Sequence, residues 1–182
     1  NVTSGILVLN FDEPVRTQDL IPARITLQNG TYNSTQIYTL TMGSTTPSPN
    51  GRMVQINISF DDLNAIKALK QLYVSVQTAF INLDAGAIKD MAGNPSAPII
   101  GLQASLYVND TSHPYLVSYT IDMNNGIMVF TFSETVSVSS FNISTFTLQA
   151  SSNVSYQYIN QFQTFTSMTQ AVTSDSVKML DN

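Results

Sequence analysis

The residues that could do chemistry are few and far apart. His113 is the only histidine, and it precedes Pro114 between two strand-like stretches. A nucleophilic triad needs a base, an orienting acid and a nucleophile converging on one point. No such partners lie near His113 and no G-x-S-x-G elbow is present, so it reads as a linker residue. The carboxylate pairs are Asp12-Glu13 and Asp61-Asp62. Adjacent residues of a strand point to opposite faces, which keeps Asp12 and Glu13 from sharing a proton. Asp61-Asp62 reads as the cap of a short helix. Asp122-x-Asn124-x-Gly126 partly matches a calcium loop but lacks the closing bidentate Glu. Asp110 with Glu13 or Glu134 is a second calcium candidate; turn capping by the acidic side chains is the favoured reading. The expectation is a protein that is not an enzyme and carries no cofactor, calcium being the one ion worth a search.

Modification chemistry is better represented. Asn-x-Ser/Thr acceptors for N-linked glycans occur at Asn1, Asn29, Asn33, Asn57, Asn109, Asn142 and Asn153. With 16 Asn and 41 Ser plus Thr in the chain, roughly four would arise by chance, so seven is an excess. Asn57 falls on the polar face of its strand, Asn29 and Asn33 in a loop, and Asn109 between the two halves of the chain. All of these are places where a bulky, solubilising glycan fits.

Composition narrows the partners. Charged residues make up 10% of the 182 residues and the net charge is -5. The seven basic residues are scattered, so no basic patch exists to neutralise phosphates and nucleic acid is not an expected partner. Hydrophobic residues reach 43%, enough for a packed core and the opposite of a disordered composition. No apolar run is long enough to span a membrane. Cysteine is absent, which removes disulfides and thiolate chemistry together without arguing against secretion. The chain begins at Asn1 with neither Met nor a signal peptide and is expected to be a mature or excised piece.

The elements that would position these residues are organised by an internal repeat. Gly5-Ile6-Leu7-Val8-Leu9-Asn10-Phe11-Asp12-Glu13-Pro14-Val15 aligns with Gly126-Ile127-Met128-Val129-Phe130-Thr131-Phe132-Ser133-Glu134-Thr135-Val136 at a constant offset of 121. The offset persists to Thr26-Leu27-Gln28 and Thr147-Leu148-Gln149. Residues 1–110 then form one repeat, its first strand missing or supplied by a neighbour, and 111–182 begin a second that is incomplete at its C-terminal end. Before Gly126 the second copy carries an extra strand-like run, Tyr115 to Ile121, for which the first has no counterpart.

Most segments read as β. Val54, Ile56, Ile58 and Phe60 alternate with polar residues, and so do Leu72, Val74 and Val76, the period of a half-buried strand. Ile6–Leu9 and Ile127–Phe130 are apolar on both faces, as central strands are. Leu7, Leu9 and Phe11, like Met128, Phe130 and Phe132, share a core face. Asn124-Asn125-Gly126 predicts a tight hairpin, and Leu63, Ile66 and Leu69 predict a helix of one or two turns behind Asp61-Asp62.

Phe11-Asp12-Glu13-Pro14-Val15 and Phe132-Ser133-Glu134-Thr135-Val136 resemble the F-S-E-P-V segment of bacterial immunoglobulin-like repeats of the surface-layer type. Asp90-Met91-Ala92-Gly93-Asn94-Pro95 resembles that family's closing D-x-A-G-N motif. The resemblance implies an all-β fold of immunoglobulin-like β-sandwich repeats in tandem, with one short helix per repeat, at the cell surface. Fold alone implies no activity. The expected function is a structural, glycosylated extracellular protein assembling head to tail, with copies of itself or adjacent repeats, into a fibre, appendage or coat, possible strand complementation included. Two alternatives are an adhesin or carbohydrate-binding module, in which Tyr73, Tyr156 and Tyr158 would stack on sugars, and an accessory domain of a larger secreted enzyme.

Overall fold

The computed structural model describes residues 4–142, 145–148, 163–164, 169–173 and 176–180. The chain separates into two units, Asn1–His113 and Pro114–Asn182. Both are built from antiparallel β-sheets.

In the first unit, β1 (Ile6–Arg16) lies between β4 (Gly51–Asn57) and β6 (Lys89–Asp90). A second sheet has the order β3 (Ile37–Thr39), β2 (Ile25–Gln28), β5 (Phe80–Leu83), β7 (Ile99–Gln103). Residues of both sheets meet in one core of twelve buried side chains, among them Val15, Ile25, Leu27, Val54, Ile56, Ile81 and Leu83. Leu7, Leu9 and Phe11 pack against this core from β1 but remain partly exposed. The fold is mostly β with one α-helix, compatible with an all-β sandwich.

That helix, α1 (Phe60–Ala68), begins one residue earlier than Asp61-Asp62 would start it. Ser59, not either aspartate, is its N-cap: the Ser59 Oγ accepts from the Asp62 N–H at 3.2 Å. A cap must be the last non-helical residue, and the Ser59 backbone is extended while Asp61 and Asp62 are already inside the first turn. The expected strand alternation through Phe60 therefore stops at Asn57, and Phe60 is 58% exposed.

The strand expected at Leu72–Val76 does not form. Leu72 is buried and Val74 exposed, Tyr73 has φ of 55°, and a 3-10 turn spans Val76–Thr78 behind a Ser75/Thr78 capping box. Serine and threonine hydroxyls offer the backbone local partners that compete with a ladder, and here they win.

The second unit carries a sheet of order β12 (Thr169–Thr173), β13 (Ser176–Leu180), β9 (Ile127–Phe132), β8 (Leu116–Asp122), and a pair β10 (Thr147–Leu148) with β11 (Gln163–Thr164). The extra run Tyr115–Ile121 forms β8 from Leu116 onward, and it joins β9 through the hairpin expected at Asn124-Asn125-Gly126. Met128 and Phe130 are buried, with Phe132, Val136, Val138, Phe141 and Phe146 around them. The Phe130, Phe141 and Phe146 rings lie 4.7 to 5.9 Å apart, within the range of favourable aromatic pairs.

Candidate functional site

Positions separated by 121 residues adopt matching geometry in the two units. Gly5 and Gly126 both have φ of 62° and both open a strand, a conformation that costs glycine nothing. Ile6 pairs with Asn57, which bridges on its far side to Thr45; Ile127 pairs with Leu180, which pairs on its far side with Thr169. The 3-10 turns Thr17–Asp19 and Val138–Ser140 follow at the same offset. Thr26 pairs with Thr39, and Thr147 with Thr164.

One edge differs. The side of β9 away from β13 is filled by β8, with Asp122 opposite Ile127, Ile121 opposite Met128, Thr120 opposite Val129 and Tyr119 opposite Phe130. Among the described residues, the side of β1 away from β4 meets β6, at Val15 and Arg16. Among the described residues no strand pairs with Leu7–Phe11 on that side. The outer edge of β4, by contrast, is protected. Thr45 pairs with Asn57, and the Ser48 hydroxyl accepts from the Gln55 N–H at 2.9 Å. Open strand edges are templates for another chain, and proteins normally cover them.

The two motifs that suggested the surface-layer-type repeat lie side by side. Val15 pairs with Asp90 and Arg16 with Lys89. The Asp90 carboxylate accepts from the Asn94 N–H and from Asn94 Nδ2, both at 2.7 Å, closing a loop in which Gly93 has φ of 96°. The Asn94 amide, then backbone donors against slight burial, holds the Asp90 carboxyl below its usual range. Asp122 plays the same part in the β8–β9 hairpin. It accepts from Asn125 Nδ2 at 2.7 Å and from the backbone N–H groups of Asn124 and Asn125, and Asn125 leads in lowering its pKa. Both carboxylates close turns. Asp110 pairs with Lys67 at 2.8 Å. No group of three or more His, Asp or Glu suited to a metal occurs among the described residues.

The acceptor asparagines are placed as follows. Asn33, Asn57, Asn109 and Asn142 are exposed. Asn33 sits in the β2–β3 loop at φ of 53°, a left-handed conformation that asparagine tolerates. Asn57 lies at the end of β4, its Oδ1 accepting from Gln55 Nε2 at 2.9 Å. Asn29 is half-buried and its amide is committed. Its Oδ1 accepts from the N–H groups of Thr35 and Gln36, and its Nδ2 donates to Thr35 Oγ1 at 3.0 Å. Asn1 and Asn153 lie outside the described residues, as do Ile143 and Ser144 of the Asn142 acceptor.

The sugar-stacking aromatics fare differently. Tyr73 is no surface platform: it is half-buried against the core and its hydroxyl donates to the Phe80 carbonyl at 3.1 Å. Burial drives its pKa up. Tyr156 and Tyr158 lie outside the described residues. His113 is exposed.

The polar centre that sequence reasoning missed is Asp62, which is fully buried. Its carboxylate accepts from the Tyr38 hydroxyl at 2.8 Å, the Ser44 hydroxyl at 2.7 Å, the Thr41 N–H at 3.1 Å and the Thr41 hydroxyl at 3.2 Å. Burial raises its pKa, but Ser44, Tyr38, Thr41 and Ser59 together outweigh that and hold the carboxyl below the usual range. Burial, reinforced by Asp62, pushes the Tyr38 phenol up to about 12. This node ties α1 to the segment between β3 and β4. Each of these donors comes from the first unit's own fold.

No family model matches this chain, and no match was found to a curated protein or to a solved structure.

Proposed function

We propose that this chain is a structural, N-glycosylated extracellular protein built of tandem immunoglobulin-like sandwiches and assembled head to tail into a fibre, appendage or coat. What supports this reading is the recurrence, at one offset, of a left-handed glycine, the strand it opens and a following 3-10 turn, together with a stretch of β1 edge that no described strand pairs. Duplicated units that each bury their own core are the ordinary material of arrays. Exposed acceptors at Asn33, Asn57 and Asn109 support a glycosylated surface, in a chain whose few charges give its strand edges little protection. Asp90 and Asp122 each close a turn within one unit.

The test is electron microscopy of the native material at its source, paired with intact mass before and after enzymatic deglycosylation. Long fibres with an axial repeat of one or two sandwiches, and a mass that falls on deglycosylation, are expected. Separate particles of unchanged mass would end the reading.

A further inference from the structure

We propose that the outer edge of β1, at Leu7–Phe11, is an acceptor for the β8 strand of a second copy of this chain. This deepens the assembly reading above and rests on it. The occupant is identified by the second unit, where the matching edge of β9 is occupied and its register is known. Carried over at the offset of 121, an antiparallel β8 places Ile121 opposite Leu7, Thr120 opposite Val8, Tyr119 opposite Leu9 and Ser118 opposite Asn10.

The side chains fit that placement. Successive residues of a strand face opposite sides. Tyr119 and Ile121 would therefore share the core face with Leu7 and Leu9, while Ser118 and Thr120 would face water beside Asn10 and Val8. Leu7 and Leu9 are only partly buried, whereas the residues at their offset positions, Met128 and Phe130, are 4% and 3% exposed. β8 is itself poorly covered in its own unit. All seven of its residues are exposed, with Tyr119 at 55% and Ile121 at 44%. On β1 those two side chains would lie against the twelve-residue core of the first unit. Exchange thus moves an amphipathic strand from β9, whose edge it vacates, to a seat beside a packed core.

Such a contact has a consequence for assembly. Donor strand and acceptor edge are different surfaces of one chain, so the contact is heterologous and leaves a free donor and a free acceptor at the two ends. Contacts of that kind propagate into open chains unless a rotation closes them. Main-chain hydrogen bonds would supply affinity and the alternating pockets specificity, as in strand addition generally.

The absence of cysteine makes the register directly testable. Full-length Val8→Cys and Thr120→Cys chains, one carrying a mass tag, are mixed and oxidised with glutathione disulfide. Both positions are exposed, and directly paired residues lie within disulfide range while diagonal neighbours do not. The expected product is a mixed-chain disulfide, several-fold more abundant than from Val8→Cys with Ser118→Cys, the diagonal control. Chains that had lost their fold would crosslink equally at both positions, and that result overturns the proposal. So does a product made only of Val8→Cys homodimers, which would mean symmetric pairing of two β1 edges, and so does a mixture that stays monomeric. The assay reads neither glycans nor native fibres, so its failure and the failure of the reading above are separable.

Discussion

The outer edges of β1 and β9 are occupied differently, although the strands share sequence, a glycine at φ of 62° and the pairing on their other side. On β9 the edge is closed by β8, and Met128 and Phe130 are buried. On β1 no described strand closes it, and Leu7 and Leu9 stay partly exposed. Burial of a core residue is therefore not fixed by the residue and its own strand. The neighbouring strand decides how much apolar surface leaves water. The first unit compensates elsewhere, through a twelve-residue core and the Asp62 node, neither of which is found among the described residues of the second.

The largest effect is expected where that compensation is removed. Asp62→Ala leaves the buried Ser44 hydroxyl and the part-buried Tyr38 hydroxyl without their acceptor, at about 2 kcal/mol each, while the donors of exposed Thr41 can turn to water. The first unit should lose about 4 kcal/mol in chemical denaturation, while hydrogen-exchange protection of β8 and β9 stays unchanged. Equal loss in both units would show that they do not fold independently. The pH dependence has a definite sign. Asp62 has a folded pKa depressed below its ordinary value of 3.8. Its contribution is fully present above that value and fades as the pH falls through the lower folded value. Wild-type protein should lose first-unit stability on acidification below about pH 3.8, and Asp62→Ala should show a flatter acid limb.

The next largest effect compares equivalent core positions directly. Phe130→Ala should cost about 3 kcal/mol, as large-to-small changes at buried aromatics do, and Leu9→Ala only about 1–2 kcal/mol, because Leu9 is half-exposed. Saturating the chain with a synthetic Tyr115–Met123 peptide should raise the cost of Leu9→Ala and leave that of Phe130→Ala alone. An unchanged Leu9 value would count against β1 as an acceptor.

What the sequence revealed follows the same division. The periodicity of Leu7, Leu9 and Phe11, the Asn124-Asn125-Gly126 hairpin and the β8 run were legible because strand alternation and turn chemistry are local. The Leu72–Val76 segment misled because alternation says nothing of hydroxyls that capture the backbone, as Ser75 and Thr78 do. Asp62 was invisible as a buried node because its partners Tyr38, Thr41 and Ser44 come from a distant stretch, and only the fold brings them to it. Its one local signal was an acidic residue three positions after a serine, which points to Ser59 as the cap. The open edge could be suspected from the unmatched run before Gly126, but its location needed the pairing of β1 with β4.

A smaller effect is expected at the two opening glycines. Gly126→Ala forces a left-handed backbone on a residue with a side chain, at about 1 kcal/mol. Gly5→Ala carries the same strain, and a Cβ there lies 3.2 Å from Leu63 Cδ2. Thermal unfolding of Gly5→Ala should show a loss greater than the roughly 1 kcal/mol of backbone strain alone. A loss no larger than that would mean that α1 yields easily at Leu63.

The smallest effect concerns the acceptor asparagines and sharpens which edges a glycan can guard. Asn57→Gln removes an exposed side chain at the end of β4 and should change stability by no more than about 0.5 kcal/mol, yet glycoprotein from its native source or a glycosylating host should lose the mass of one glycan. Asn29→Gln should behave oppositely. The Asn29 amide organises the β2–β3 loop through Thr35 and Gln36, so its loss should cost about 1 kcal/mol, with little or no change in glycan mass because that amide is already engaged. A glycan at Asn57 would stand beside the protected edge of β4 and leave the outer edge of β1 clear, since the two edges lie on opposite sides of the β4–β1 pair. Enzymatic deglycosylation should therefore leave the Val8→Cys to Thr120→Cys crosslink unchanged. A crosslink that grew on deglycosylation would place sugar over the acceptor edge itself and would move the guarded edge from β4 to β1.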